Sequence, residues 1–194
     1  MASTKAVTSL ALAVALAVGA LIGHEYAVQV EVLPLQQRVA ELEGAVIDGE
    51  LSVLDLRFSP RGGAASQVSY WISRANRSVH VLIFSFTLDD IGDALLDAHG
   101  RGIDVRVVFE KGQVSRYSEY FRLAAAGVPV RNDTNPDHMH NKVAIVDGHI
   151  VLTGSFNWSA SAEDDNNENL IVIRSAELAA AYESEFQRIW STGR

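Results

Sequence analysis

Residues 139–158 read MHNKVAIVDGHIVLTGSFNW, two apolar runs joined by Asp147-Gly148 and fringed by polar residues. An Asp-Gly pair suits the positive φ angles of a tight hairpin, so Met139 to Val146 and His149 to Thr153 are expected to be antiparallel neighbours. Side chains alternate along a strand, which puts His140 and Lys142 on one face and Asn141 and Val143 on the other. The returning strand brings Gly154, Ser155 and Asn157 back to the same neighbourhood, and Glu168, opening the next strand, can reach it. An imidazole, an ammonium, a neutral amide and a carboxylate converging at strand ends suit attack on an anionic phosphorus centre.

Outward from this hairpin the chain alternates strand and helix. Upstream, Leu51 to Phe58 reads as a strand ended by the breaker cluster Ser59-Pro60-Arg61-Gly62-Gly63. Val68, Trp71, Ile72 and Ala75 sit at helical spacing, and Val79 to Phe86 is a buried strand. Ile91, Ala94, Leu95 and Ala98 mark a second helix, with Thr87 as its expected cap and Gly100 to Gly102 as its stop. Ile103 to Phe109 is a strand, Val114 to Ala126 a helix closed by Gly127, and Val128 to Arg131 a short strand. Downstream come a strand at Asn169 to Ile173 and a helix at Ala176 to Trp190 with Leu178, Tyr182, Phe186 and Ile189 inward. The pattern predicts an α/β fold, a mixed sheet flanked by helices with a largely parallel first half.

The chain has 194 residues and 21.0 kDa, room for one domain and a short extension. It has no cysteine, which excludes disulfides, thiolate metal sites and a cysteine nucleophile. A net charge of −8 disfavours diffuse electrostatic attachment to nucleic acid, so a polyanion must be held by a local basic site.

Ala6 to Gly23 carries no charge and would reach about 27 Å as a helix, close to the ~30 Å of a bilayer core. Residues 1–25 are therefore expected to be a membrane anchor or a signal peptide. With Lys5 before the run and His24 and Glu25 after it, the remainder is expected on the non-cytoplasmic side, or secreted or periplasmic if the segment is cleaved. Leu35, Val39, Leu42 and Val46 suggest a helical linker over residues 26–49, leaving 50–194 as the catalytic domain.

His140-Asn141-Lys142, four residues, Asp147, six residues, Gly154-Ser155-Phe156-Asn157 and then Asn167-Glu168-Asn169 resembles the HxKx4D signature of the phospholipase D superfamily. The resemblance extends over roughly Val53 to Trp190, including the Phe58 to Gly63 turn. It is strongest to the short, single-motif members: the bacterial endonucleases and the mitochondrial nuclease or cardiolipin-hydrolase branch. It implies that His140 is a nucleophile forming a phosphohistidine, that Lys142 and Asn157 hold non-bridging oxygens with Ser155 assisting, and that Glu168 accepts a hydrogen bond from His140. Asp147 is implied to be structural. Two histidines are needed and one motif is present, so the resemblance implies a homodimer, with no metal or other cofactor. The expected activity is endonucleolytic, on single-stranded or non-specific DNA or RNA; the alternative is a phospholipase D-type hydrolase of a cardiolipin-like phospholipid.

The remaining polar residues have simpler expectations. His80 and His99 are expected to be structural, His138 a minor substrate contact and His149 a surface residue. Glu163, Asp164 and Asp165 read as a solvated acidic loop. Tyr117, Tyr120 and Phe121 are either stacking faces for unpaired bases or the packed face of a helix. Lys111, Arg116 and Arg131 are candidates for a basic rim, and Trp158 for the core.

Overall fold

The computed structural model describes residues 51–194, in which the Asp147-Gly148 hairpin lies at the centre of a seven-stranded sheet. The expected membrane or signal segment and the helical linker fall outside the described residues. In chain order the elements are β1 (Ser52–Phe58), α1 (Ala64–Ser73), β2 (Ser78–Ile83), α2 (Asp89–Gly100), β3 (Asp104–Phe109), α3 (Tyr120–Ala125), β4 (Val130–Asn132), β5 (Lys142–Val146), β6 (Ile150–Gly154), α4 (Ala160–Asp164), β7 (Asn169–Arg174) and α5 (Ala176–Thr192). The sheet order is β1-β7-β6-β5-β2-β3-β4. The strands β2, β3 and β4 run parallel, while β5, β6, β7 and β1 join antiparallel. Among the described residues no helix is long and apolar enough to cross a membrane.

The central strands are mostly apolar because both faces are covered. On one face Val79, Val81 and Ile83 of β2 and Ala144 and Val146 of β5 pack with Val68 and Ile72 of α1 and Ile91 and Leu95 of α2. On the other, Leu82, Val143, Ile145 and Val151 meet Ala179, Phe186 and Ile189 of α5. Each of the Val, Leu, Ile and Phe side chains contributes roughly 1.5–3 kcal/mol when fully buried. Trp158 belongs to the first core, edge-on to Phe86. His80 is spent on structure, its ring stacked on Phe186 and its Nδ1 2.9 Å from Glu183.

Local chemistry corrects several boundaries. The helix expected over Val114 to Ala126 is confined to Tyr120–Ala125, because the Ser115 and Ser118 hydroxyls accept the Tyr117 and Tyr120 amides at 3.3 Å and compete with helical bonding. Thr87 is not the cap of α2; Leu88 holds that position without a side-chain bond. The turn α4 arises where Ser159 Oγ accepts the Ala162 amide. Glu163 is not simply solvated: its carboxylate accepts the Gly63 and Ala65 amides at 3.0 and 2.9 Å and caps the start of α1.

Candidate active site

Three antiparallel joins bring the polar residues to one end of the sheet. Lys142, the first residue of β5, pairs with Ile83, the last of β2; Val143 pairs with Thr153 near the end of β6; and Gly154 pairs with Leu170 near the start of β7. His140 and Lys142 therefore meet Gly154 to Asn157 and Glu168 at that end.

The Lys142 side chain is buried at 7% exposure, and its Nζ donates to the His140 carbonyl at 2.9 Å. The same Nζ is 3.1 Å from His140 Nδ1 and 3.2 Å from Nε2. It also lies over the Phe84 ring, whose centroid is 4.3 Å from that of the exposed His140 ring. Desolvation, then the Lys142 ammonium and His138, hold the His140 imidazole below its ordinary pKa, against the opposing pull of Glu110. Burial lowers the Lys142 ammonium as well, opposed by the Glu168 carboxylate. The outcome is a solvent-open imidazole whose charged form is disfavoured, beside the buried Lys142 amine.

At the end of β6 the backbone is crowded. A Cβ on Gly154, whose φ is +147°, would lie 2.2 Å from the Asn169 carbonyl oxygen, so only glycine lets β6 turn this close to β7. Beyond it, the Ser155 hydroxyl accepts the Asn169 backbone amide at 3.1 Å and its side-chain amide at 3.3 Å. Asn157 makes no side-chain hydrogen bond to the described residues, and its Oδ1 is buried. An orphaned amide in a site is a group waiting for a partner.

Glu168 departs from expectation. Within one chain its carboxylate accepts from Asn166 Nδ2 at 3.2 Å and makes no hydrogen bond to His140. The imidazole is instead engaged by Lys142, and Glu168 acts on that ammonium through charge. Asp147, at φ +56° in the hairpin turn, accepts the amides of Asn76, Arg77 and Ser78 at 2.7–3.1 Å. Burial raises its pKa, and those amides outweigh the burial to leave it below the ordinary value.

A residue that sequence reasoning passed over holds the loop bearing His140. Glu110, 1% exposed, follows β3 and accepts the Met139 amide at 2.7 Å and the Gly112 amide at 3.0 Å. Its Oε1 lies 3.5 Å from His138 Nδ1. Burial opposes its ionisation, but those two amides and His138 lower its pKa overall. The available signal was an acid placed directly after the buried apolar run Val107-Val108-Phe109, where the core offers it no solvent. Asp133, also buried, accepts the Lys111 and Asn135 amides at 3.1 and 2.8 Å and ties down the other end of the loop. A cavity of about 440 Å³ opens beside it, lined by His138, His140, Asn141, Glu185 and Arg188.

Of the expected basic rim, Lys111 bonds the Asn135 and Asp137 carbonyls, and Arg131 bonds the Trp190 carbonyl and stacks on its ring. Only Arg116 of the three is left without such a backbone tie. Tyr120 packs edge-on against Phe109 and is half-buried, whereas Tyr117 and Phe121 are exposed.

Residues 69–190 match the family described as cardiolipin synthase, PLD-like domain. The mitochondrial cardiolipin hydrolase of Xenopus tropicalis is 38% identical over 128 residues, which is 66% of this chain and 61% of that protein. That of Chlamydomonas reinhardtii is 36% identical over 121 residues, 62% of this chain and 54% of that one. The chain thus spans about three-fifths or less of the length of these curated relatives. The crystal structure of the phospholipase D family member Nuc from Salmonella typhimurium superposes with a TM-score of 0.70 and 36% identity, covering 74% of this chain and 97% of that one.

Proposed function

From the premise that the chain belongs to the phospholipase D superfamily, we propose that residues 50–194 form the catalytic domain of a homodimeric, metal-independent endonuclease acting on single-stranded or non-specific DNA or RNA. The observation that carries the reading is the exposed His140 imidazole held within 3.2 Å of the Lys142 ammonium. Attack by a neutral ring nitrogen forms a P–N bond as the P–O bond to the leaving group breaks. The proton for the leaving oxygen comes from the imidazolium of the partner subunit's His140. Water then attacks the phosphohistidine, gives its proton to that second imidazole, and the P–N bond breaks. Lys142, the Asn157 amide and the Ser155 hydroxyl face the non-bridging oxygens, where charge is concentrated in the five-coordinate transition state. Asp147 is structural in this scheme.

Glu168 forms no bond to His140 within one chain, so its role is to sustain the charge of Lys142, unless pairing of two copies brings it to an imidazole. Coverage of 97% of Nuc, a phospholipase D family member, against 54% and 61% of the two hydrolases, supports the short single-domain form of the family.

Lipid hydrolysis has one specific observation in its favour. Val53, Leu56 and Phe58 of the edge strand β1 are 56%, 50% and 63% exposed, and Phe58 is paired with Asn169, the residue that bonds Ser155. An apolar stripe leading to the site suits a bilayer surface. The discriminating experiment presents the full chain, in excess EDTA, with labelled single-stranded DNA, RNA and cardiolipin vesicles. Cutting of nucleic acid that His140→Ala abolishes is the expected result; turnover of cardiolipin alone establishes the lipid reading instead.

A further inference from the structure

We infer that the hollow between Tyr117 and Phe121 is a subsite for a nucleotide neighbouring the scissile phosphate, in which an unpaired base stacks on these rings and Arg116 takes its phosphate. The inference rests on the endonuclease reading and specifies where the strand is gripped.

The segment that follows β3 treats its aromatic residues unequally. Tyr120 is spent on the core against Phe109, yet Tyr117 and Phe121 on either side of it are 66% and 56% exposed. Large rings left in water at this level call for a ligand when they border a concavity. These two border one of about 640 Å³, whose walls also include Thr87, Arg116 and Arg122.

The cations in the wall are not equivalent. Arg122 is committed to Glu119, to Asp93 and to the Asp89 carbonyl. Arg116 pairs with no carboxylate among the described residues; its guanidinium lies over the Tyr117 ring, 4.6 Å from the centroid, and bonds the Tyr117 hydroxyl. A guanidinium stacked on one face of an exposed ring leaves the other face for a base, with the charge placed for the adjoining phosphate. Asp89, also in the wall, restricts that phosphate to the Arg116 side. With a chain charge of −8, affinity for a polyanion has to come from such a local arrangement.

The hollow is also rigidly joined to the chemistry. The Thr87 and Leu88 amides donate to the Trp158 carbonyl at 2.8 and 3.1 Å, next to Asn157, and the Glu119 amide donates to the Phe86 carbonyl at 3.1 Å. Phe84, against the His140 ring, is three residues from Thr87, a path of at most about 11 Å. That reach suits a neighbouring nucleotide of the same strand.

The test uses the full chain and two substrates: a single-stranded DNA of about 15 nucleotides and bis(p-nitrophenyl) phosphate, which has no flanking nucleotide. Tyr117→Ala and Phe121→Ala are each expected to raise KM for the DNA about tenfold, with turnover of the small diester changed less than about twofold and Tyr117→Phe restoring the DNA value. An unchanged DNA KM in the double variant overturns the inference while leaving the nuclease reading intact. Equal loss on both substrates together with a monomeric elution volume also overturns it, making the patch a subunit contact. Wild-type turnover of the small diester and of cardiolipin vesicles with intact DNA overturns the nuclease reading and the inference together.

Discussion

The Nζ of Lys142 lies 3.1 Å from Nδ1 and 3.2 Å from Nε2 of the His140 ring, while it also sits over the Phe84 ring, 4.8 Å from its centroid. A buried ammonium against a solvent-facing imidazole favours the uncharged ring, which is the form that attacks phosphorus. The proposed reactive pair is thus assembled within a single subunit.

His140→Ala is expected to lower turnover by at least about 10³-fold, since it removes the proposed nucleophile. Acid-quenched reactions of the wild type with 32P-labelled diester should carry label on the protein, and the variant should carry none. Label retained by the variant overturns the assignment.

Two neighbours of His140 act on its titration with opposite sign. Lys142 lowers its pKa and Glu110 raises it. Lys142→Met is therefore expected to move the His140 titration to higher pH, and Glu110→Gln to lower pH, both followed by NMR of the ring protons. Shifts in the same direction in both variants contradict the arrangement.

Asp147→Asn is expected to cost about 2 kcal/mol, because a carboxylate serving three backbone amides makes charge-assisted bonds that a neutral amide replaces poorly. The melting temperature should fall by about 4–8 °C at neutral pH. Its pKa is depressed from the ordinary 3.8, so the unfolded chain binds protons first as pH falls. The stabilisation is full above that ordinary value and lost through the depressed one, so the difference between wild type and variant should shrink below about pH 4. A pH-independent difference contradicts the assignment.

Gly154→Ala is expected to destabilise the domain by about 3 kcal/mol and to reduce turnover in the fraction that remains folded, because the new Cβ would meet the Asn169 carbonyl at 2.2 Å at a φ of +147°. Shifting that contact displaces Asn169 from the Ser155 hydroxyl. Chemical denaturation and the small-diester assay check the two effects separately, and a variant as stable as the wild type contradicts the close approach.

Much of this was legible in the chain because it depends on short-range pattern. The Asp147-Gly148 hairpin and the apolar strands follow from local period and turn chemistry, but the strand expected from Met139 begins only at Lys142, so His140 sits in the preceding loop and strand alternation does not place it. The helix expected over residues 114–126 failed at Ser115 and Ser118, whose hydroxyls take backbone amides at 3.3 Å; propensity alone does not register that competition. Arg131 and Lys111 looked like available cations and proved to be bound to carbonyls of residues distant in the sequence.

By itself the sequence determined the family, the fold class and the inventory of reactive groups, since motif spacing and hydrophobic period are properties of neighbouring residues. Tertiary structure decided which groups meet. Glu110 became the anchor of the His140 loop, Glu163 the cap of α1, and Glu168 a partner in charge of Lys142 rather than of His140 within one chain. A carboxylate's role depends on which amides and cations the sheet order presents within a few ångströms of it, and that proximity joins residues far apart along the chain.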